Sequence, residues 1–150
     1  DLWNVQVFST IARSEQAHMD ALKTLLDRYG LQDPAAGKPV GVFTDPAIQA
    51  LYDELLARGR TSLVEALTVG ATIEDLDIVD LRERATDTPD IARVCANLEK
   101  GSGNHLRAFV TNLARRGATY TPTYLAQEDF DEILSSTRAR GAGAPPEVQS

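Results

Sequence analysis

Three pairs of side chains in this 150-residue sequence share one spacing: Glu15-x-x-His18, Glu74-x-x-Asp77 and Ser102-x-x-His105. Residues three apart on a helix differ by about 60° in direction and one turn in height, so each pair can aim its donors at one point. Carboxylate oxygens mixed with imidazole nitrogens suit iron or manganese, and zinc less specifically. Where such pairs meet at similar height between antiparallel helices, carboxylates bridge two cations and imidazoles cap them, which makes a di-metal centre. The expected ligands are Glu15, His18, Glu74, Asp77 and His105.

Helices must carry these pairs, and the punctuation of the chain supplies them. Three segments end alike, in Arg28-Tyr29-Gly30, Arg58-Gly59 and Arg115-Arg116-Gly117. Each sets a cation against the negative end of a helix dipole and a glycine where a left-handed cap is needed. Asp45-Pro46 and Thr88-Pro89 place a cap-type side chain before a proline suited to a first turn, and Ser62-x-x-Glu65 has the form of a capping box. Helices are expected over about 8–29, 46–58, 62–85 and 90–116, with a short fifth near 125–135. Alternation never persists long enough for a strand, so the class is all-α. The Pro- and Gly-containing stretch from Gly30 to Asp45 reads as a loop.

The core-facing stripe of each long helix, written at alternating steps of three and four, shows where the pairs fall. The first helix gives Phe8, Ile11, Glu15, His18, Leu22, Leu25 and Tyr29; the third gives Leu63, Leu67, Gly70, Glu74, Asp77 and Leu81. The fourth gives Ile91, Cys95, Leu98, Ser102, His105, Phe109 and Asn112. In each, polar residues interrupt the apolar seam. A buried carboxylate without a partner costs several kcal/mol even after relaxation, so three interrupted seams need a reason. Each signal also has a purely structural reading. Glu74 and Asp77 could belong to a solvated face, because the register Ala66, Val69, Ile73, Leu76, Asp80 is equally readable. His105 could be a core histidine bonded to Ser102 or a carbonyl. Glu65 is better explained as a cap, Glu99 points away from His105, and Cys95 reads as a small buried hydrophobe.

Composition bounds the function. A net charge of −7 from 15 basic and 22 acidic residues is a poor footprint for nucleic acid. No apolar run is long enough for a membrane span. One cysteine makes neither an internal disulfide nor a cysteine-rich zinc site. Residues 1–136 are expected to form one helical domain, and residues 137–150, with Gly141-Ala142-Gly143-Ala144-Pro145-Pro146, a disordered tail.

The segments Ser14-Glu15-Gln16-Ala17-His18-Met19-Asp20-Ala21, Val69-Gly70-Ala71-Thr72-Ile73-Glu74, Gly101-Ser102-Gly103-Asn104-His105 and Tyr120-Thr121-Pro122-Thr123-Tyr124-Leu125 resemble an uncharacterised bacterial and archaeal branch of the ferritin-like superfamily, a domain of unknown function. The resemblance covers most of residues 3 to 135. It implies an antiparallel four-helix bundle with a di-iron centre, or a related manganese or zinc one, that oxidises ferrous iron or another small reductant by oxygen or peroxide. Glu15 and His18 match the family's second-helix pair, Glu74 its third-helix glutamate, and His105 its fourth-helix histidine. Ser102 stands where a glutamate is usual, and Asp77 is the replacement expected. In relatives an acidic helix precedes Leu2-Trp3-Asn4-Val5, so the chain is expected to begin at that helix's final turn.

Three long helices leave the stripe of Phe8, Ile11, Leu22 and Leu25 covered on part of its width. A preceding helix, a partner helix or a homo-oligomer is expected to cover it. The start at Asp1 rather than Met, with the family resemblance, tilts the expected location toward the cell exterior or envelope. Two rival readings stand beside the metal centre. One is a metal-free helical interaction module fixed by a buried polar network; the other is iron storage in a multi-subunit cage.

Overall fold

The computed structural model describes residues 2–84 and 86–136; residues 137–150, expected as a disordered tail, lie outside them. Among the described residues there are five helices and no strand: α1 (Gln6–Arg28), α2 (Pro46–Gly59), α3 (Leu63–Glu83), α4 (Pro89–Ala114) and α5 (Gln127–Ser135). The caps explain most boundaries. Asp45 accepts from the Ala47 and Ile48 amides at the start of α2, and Ser62 accepts from the Glu65 amide at the start of α3. The other half of the expected capping box is absent, because Glu65 turns outward to Arg58 at 2.5 Å. Thr88 makes no side-chain cap; its amide is instead held by the Thr86 hydroxyl.

Two of the three expected glycine caps are present. Gly30 and Gly117 have φ of 65° and 71°, and the amides that follow them, Leu31 and Ala118, reach back to Leu26 and Leu113. Gly59 differs: it is the last helical residue of α2, followed by Arg60 in right-handed geometry. Gly59 lies beside the Ala66 backbone of α3 with room for a Cβ at ordinary van der Waals distance, and its carbonyl accepts from Trp3 Nε1 at 3.2 Å. Leu2 to Val5, expected as a helical turn, are not helical, and Val5 is the extended cap residue of α1.

α4 runs antiparallel to both α3 and α1. The five-residue connection 84–88 turns α4 back along α3, so Gly70 faces Phe109, Asp77 meets Ser102, and Arg82 pairs with Glu99 at 2.7 Å. α1 lies along α4: the Phe8 ring packs at a tilt against Phe109 with centroids 5.9 Å apart, and Arg28 pairs with Asp90 at 2.7 Å. α2 packs on α3 and α5 on α4. A Cβ on Gly70 would stand 2.4 Å from the Phe109 ring, so this glycine in mid-helix is what lets Phe109 enter the core. The core joins Leu67, Ala71 and Ile78 of α3 to Leu106, Phe109 and Leu113 of α4. The alternative register of α3 is not the core one, because Ile73 is 47% exposed; Ala66 and Val69 are buried on the side that carries α2. On the α1 stripe Ile11 is buried and Leu25 half-buried, but Leu22 and Tyr29 are exposed. Cys95, expected to be buried, is half-buried.

Candidate metal centre

The seam interruptions of α1, α3 and α4 converge. Glu15 from α1, Glu74 from α3 and His105 from α4 each offer a donor atom, and the three atoms lie within 4.8 Å of one another. Glu15 Oε1 stands 2.7 Å and Glu74 Oε1 3.4 Å from Nδ1 of His105. Glu74 and His105 are buried, while Glu15 is half-buried and opens the group toward solvent along α1.

The remaining two expected ligands stand beside this trio. His18 Nδ1 contacts Glu15 Oε2 at 3.2 Å, and its ring stacks on that of His105 with centroids 5.5 Å apart. Its other edge lies over α4 at Gly101, where an added Cβ would come within 2.6 Å of the imidazole. Asp77 is half-buried one turn beyond Glu74 and accepts from Ser102 Oγ at 2.6 Å. Ser102 therefore serves Asp77 rather than His105. The partner of His105 is Ser14, whose Oγ lies 2.9 Å from Nε2.

The electrostatics follow from this crowding. Burial disfavours the imidazolium of His105, but Glu15 and Glu74 outweigh it and hold the ring protonated to about 9. Burial pushes the Glu15 carboxyl up, yet the contacts with His105 and His18 prevail and its net direction is down. For Glu74 burial prevails: His105 offsets it only in part, the charges of Glu15 and Asp77 add to it, and the carboxyl titrates above its ordinary value. Asp77 also moves up, first through burial, against the opposing bond from Ser102. The same imidazole thus prevails for the half-buried glutamate and only partly offsets burial for the buried one, because desolvation differs between them.

Among the described residues, two buried side-chain polar atoms lack a hydrogen-bond partner: Glu15 Oε1 and His105 Nδ1. They are the two atoms 2.7 Å apart, so they meet as an ion pair without the alignment that a hydrogen bond requires. Buried polar atoms are nearly always satisfied, and unsatisfied ones cluster where a catalytic group or ion belongs. A carboxylate oxygen and an imidazole nitrogen turned to shared space, with a second carboxylate beside them, would fit a divalent cation of the transition series once the ring gives up its Nδ1 proton.

One buried carboxylate escaped the seam argument. Asp75 of α3 is fully buried and faces away from this group. Its Oδ2 accepts from Tyr120 Oη at 2.8 Å and from the amides of Thr123 and Tyr124, and its Oδ1 from the Leu125 amide at 2.7 Å. The residue ties the 118–126 segment, and through it α5, to the back of α3. Its signal lay in composition: α3 is apolar on most of its circumference, so any carboxylate within it needs donors.

Residues 1–137 match the family model described as an uncharacterised protein domain, DUF2202. The uncharacterised protein MJ0754 of Methanocaldococcus jannaschii is 50% identical over 141 residues, which cover 93% of this chain and 76% of the relative. The crystal structure of hypothetical protein MJ0754 from Methanococcus jannaschii DSM 2661 has a similar fold, with a TM-score of 0.86 at 50% identity over 89% of this chain and 77% of that one.

Proposed function

The chain belongs to the DUF2202 domain family, and from that premise we propose that it is a ferritin-like metal-binding protein whose α1, α3 and α4 hold a carboxylate and histidine centre. The observation that carries this reading is the pair of unsatisfied buried donors, Glu15 Oε1 and His105 Nδ1, with Glu74 alongside. Glu15, Glu74 and His105 would hold a first cation; His18 and Asp77, adjacent to them, extend the donor set to a second. Iron is the metal proposed, with manganese or zinc compatible with the same atoms. A redox metal at this position supplies one-electron chemistry, and the activity proposed is oxidation of ferrous iron or another small reductant by oxygen or peroxide.

The side chains have separate parts in this. His105 must release its Nδ1 proton to act as a ligand, which ties affinity to pH. Glu15, half-exposed and flanked by two imidazoles, is the carboxylate free to shift between them. Glu74 is buried with its charge poorly compensated, so it gains most from a cation.

Elemental analysis of the protein purified without chelators tests the reading. The unsubstituted chain should carry metal, and Glu15→Ala and His105→Ala should each lose it. Negligible metal in all three would overturn it. A second reading is supported by the bonds Ser14 to His105, Ser102 to Asp77 and His18 to Glu15, which close a polar network across three helices. On that reading the protein is a metal-free helical module, and it is the one left standing by a negative metal analysis.

A further inference from the structure

We infer that Ser14 is a positioning residue for the centre proposed above, its hydroxyl deciding which nitrogen of the His105 ring faces Glu15 and Glu74. This rests on the metal reading. An imidazole has two unlike nitrogens, and rotation of the ring about its bond to Cβ exchanges the edges that present them. In His105 the choice is made from both sides. Nε2 lies 2.9 Å from Ser14 Oγ, while Nδ1 stands 2.7 Å from Glu15 Oε1.

Both gripping residues come from one turn of α1. Consecutive residues on a helix diverge by about 100°, since a turn holds 3.6 residues. Ser14 and Glu15 can therefore reach different edges of a ring that projects from α4, 91 positions away in sequence from Ser14. The ring is 8% exposed, so little water is at hand to replace the hydroxyl.

Serine suits this place because its oxygen both donates and accepts. A cation on Nδ1 requires the ring's remaining proton to sit on Nε2, and Ser14 Oγ then accepts it. Without the hydroxyl, a buried Nε2–H has no partner, and the ring gains by placing its proton on Nδ1, which closes the ligand position.

Titration of the full chain with Co2+, followed by visible absorbance, measures the effect in the unsubstituted, Ser14→Ala and Ser14→Thr proteins. Ser14→Ala should weaken Co2+ binding about 10- to 100-fold, as loss of a partner behind a metal-bound histidine generally does, and Ser14→Thr should recover affinity to within about threefold. A merely structural role for Ser14 would not move the second readout, the histidine tautomer seen by 15N NMR in the Zn2+-loaded chain. The unsubstituted protein should show His105 protonated on Nε2 and ligated through Nδ1, and Ser14→Ala should lose that single pattern. Equal Co2+ affinity and an unchanged tautomer in Ser14→Ala overturn this inference alone, as does ligation through Nε2 in the unsubstituted chain should the alanine variant not fold. Failure of the unsubstituted chain to bind Co2+ or Zn2+ overturns the metal reading, and this inference with it.

Discussion

Glu74 and Asp75 are consecutive residues on α3, 5% and 0% exposed, and their surroundings differ in kind. Asp75 accepts one phenolic and three amide hydrogens from the 120–125 segment, so both its oxygens are occupied. Glu74 meets the His105 ring at 3.4 Å and faces Glu15 and Asp77, whose charges add to the effect of burial on its carboxyl. On one side of the helix desolvation is offset by directed donors, and the carboxylate works as an anchor. On the other it is left largely standing, and the carboxyl titrates above its ordinary value.

The contrast can be broken most directly at Asp75. Asp75→Ala strands the Tyr120 hydroxyl and three amides in the interior and should cost about 4 kcal/mol in urea unfolding followed by circular dichroism. A loss below about 1 kcal/mol would erase the distinction between the two carboxylates. Next comes pH. The folded chain holds His105 protonated to about 9, above the ordinary 6.5 of an unfolded histidine. A raised folded value means that its stabilisation is complete below pH 6.5 and is lost as pH rises through about 9. In chelator-treated protein the loss should be on the order of 1 to 2 kcal/mol, screened by the solvent that reaches Glu15, and visible as a falling Tm absent from His105→Asn. A flat profile would show that the ion pair carries no stability.

Tyr120→Phe sharpens the anchor side. Burial and the bond to Asp75 push this phenol up to about 12, and its removal leaves Asp75 three donors, for an expected loss of about 1 kcal/mol. A loss as large as that of Asp75→Ala would assign the whole anchor to the phenol and none to the backbone amides. Glu74→Gln should have the smallest effect: in metal-free protein, stability within about 0.5 kcal/mol of the parent, because the neutral amide removes a charge that burial disfavours. Metal content should nevertheless fall. Destabilisation comparable to Asp75→Ala would make Glu74 an anchor as well.

This asymmetry also explains what the sequence could disclose. Glu15, His18, Glu74 and His105 were legible because each interrupts an apolar stripe whose period is fixed by helix geometry. Helix limits were legible to within two or three residues, since Asp45, Ser62, Gly30 and Gly117 act through local bonds. For Asp75 the apolar surround of α3 signalled a need for donors but not which ones, because they are amides 48 to 50 positions away in a segment without periodicity. Ser14 was hidden for a similar reason, as its value lies wholly in the edge of one ring on another helix. Gly59 misled because a glycine after a cation signals a left-handed cap, whereas here the helix runs on through the glycine and Arg60 follows in right-handed geometry.

Only Ile11 of the 23 residues in α1 is buried, and it keeps 8% exposure. Helices with so little interior surface open at the low end of a protein's free-energy scale, independently of the rest. Ser14, Glu15 and His18 share that helix, so an opening of α1 would carry all three away from Glu74 and His105 together. Were a cation to span α1 and α4 as proposed, amide exchange along α1 should slow by the free energy of its binding.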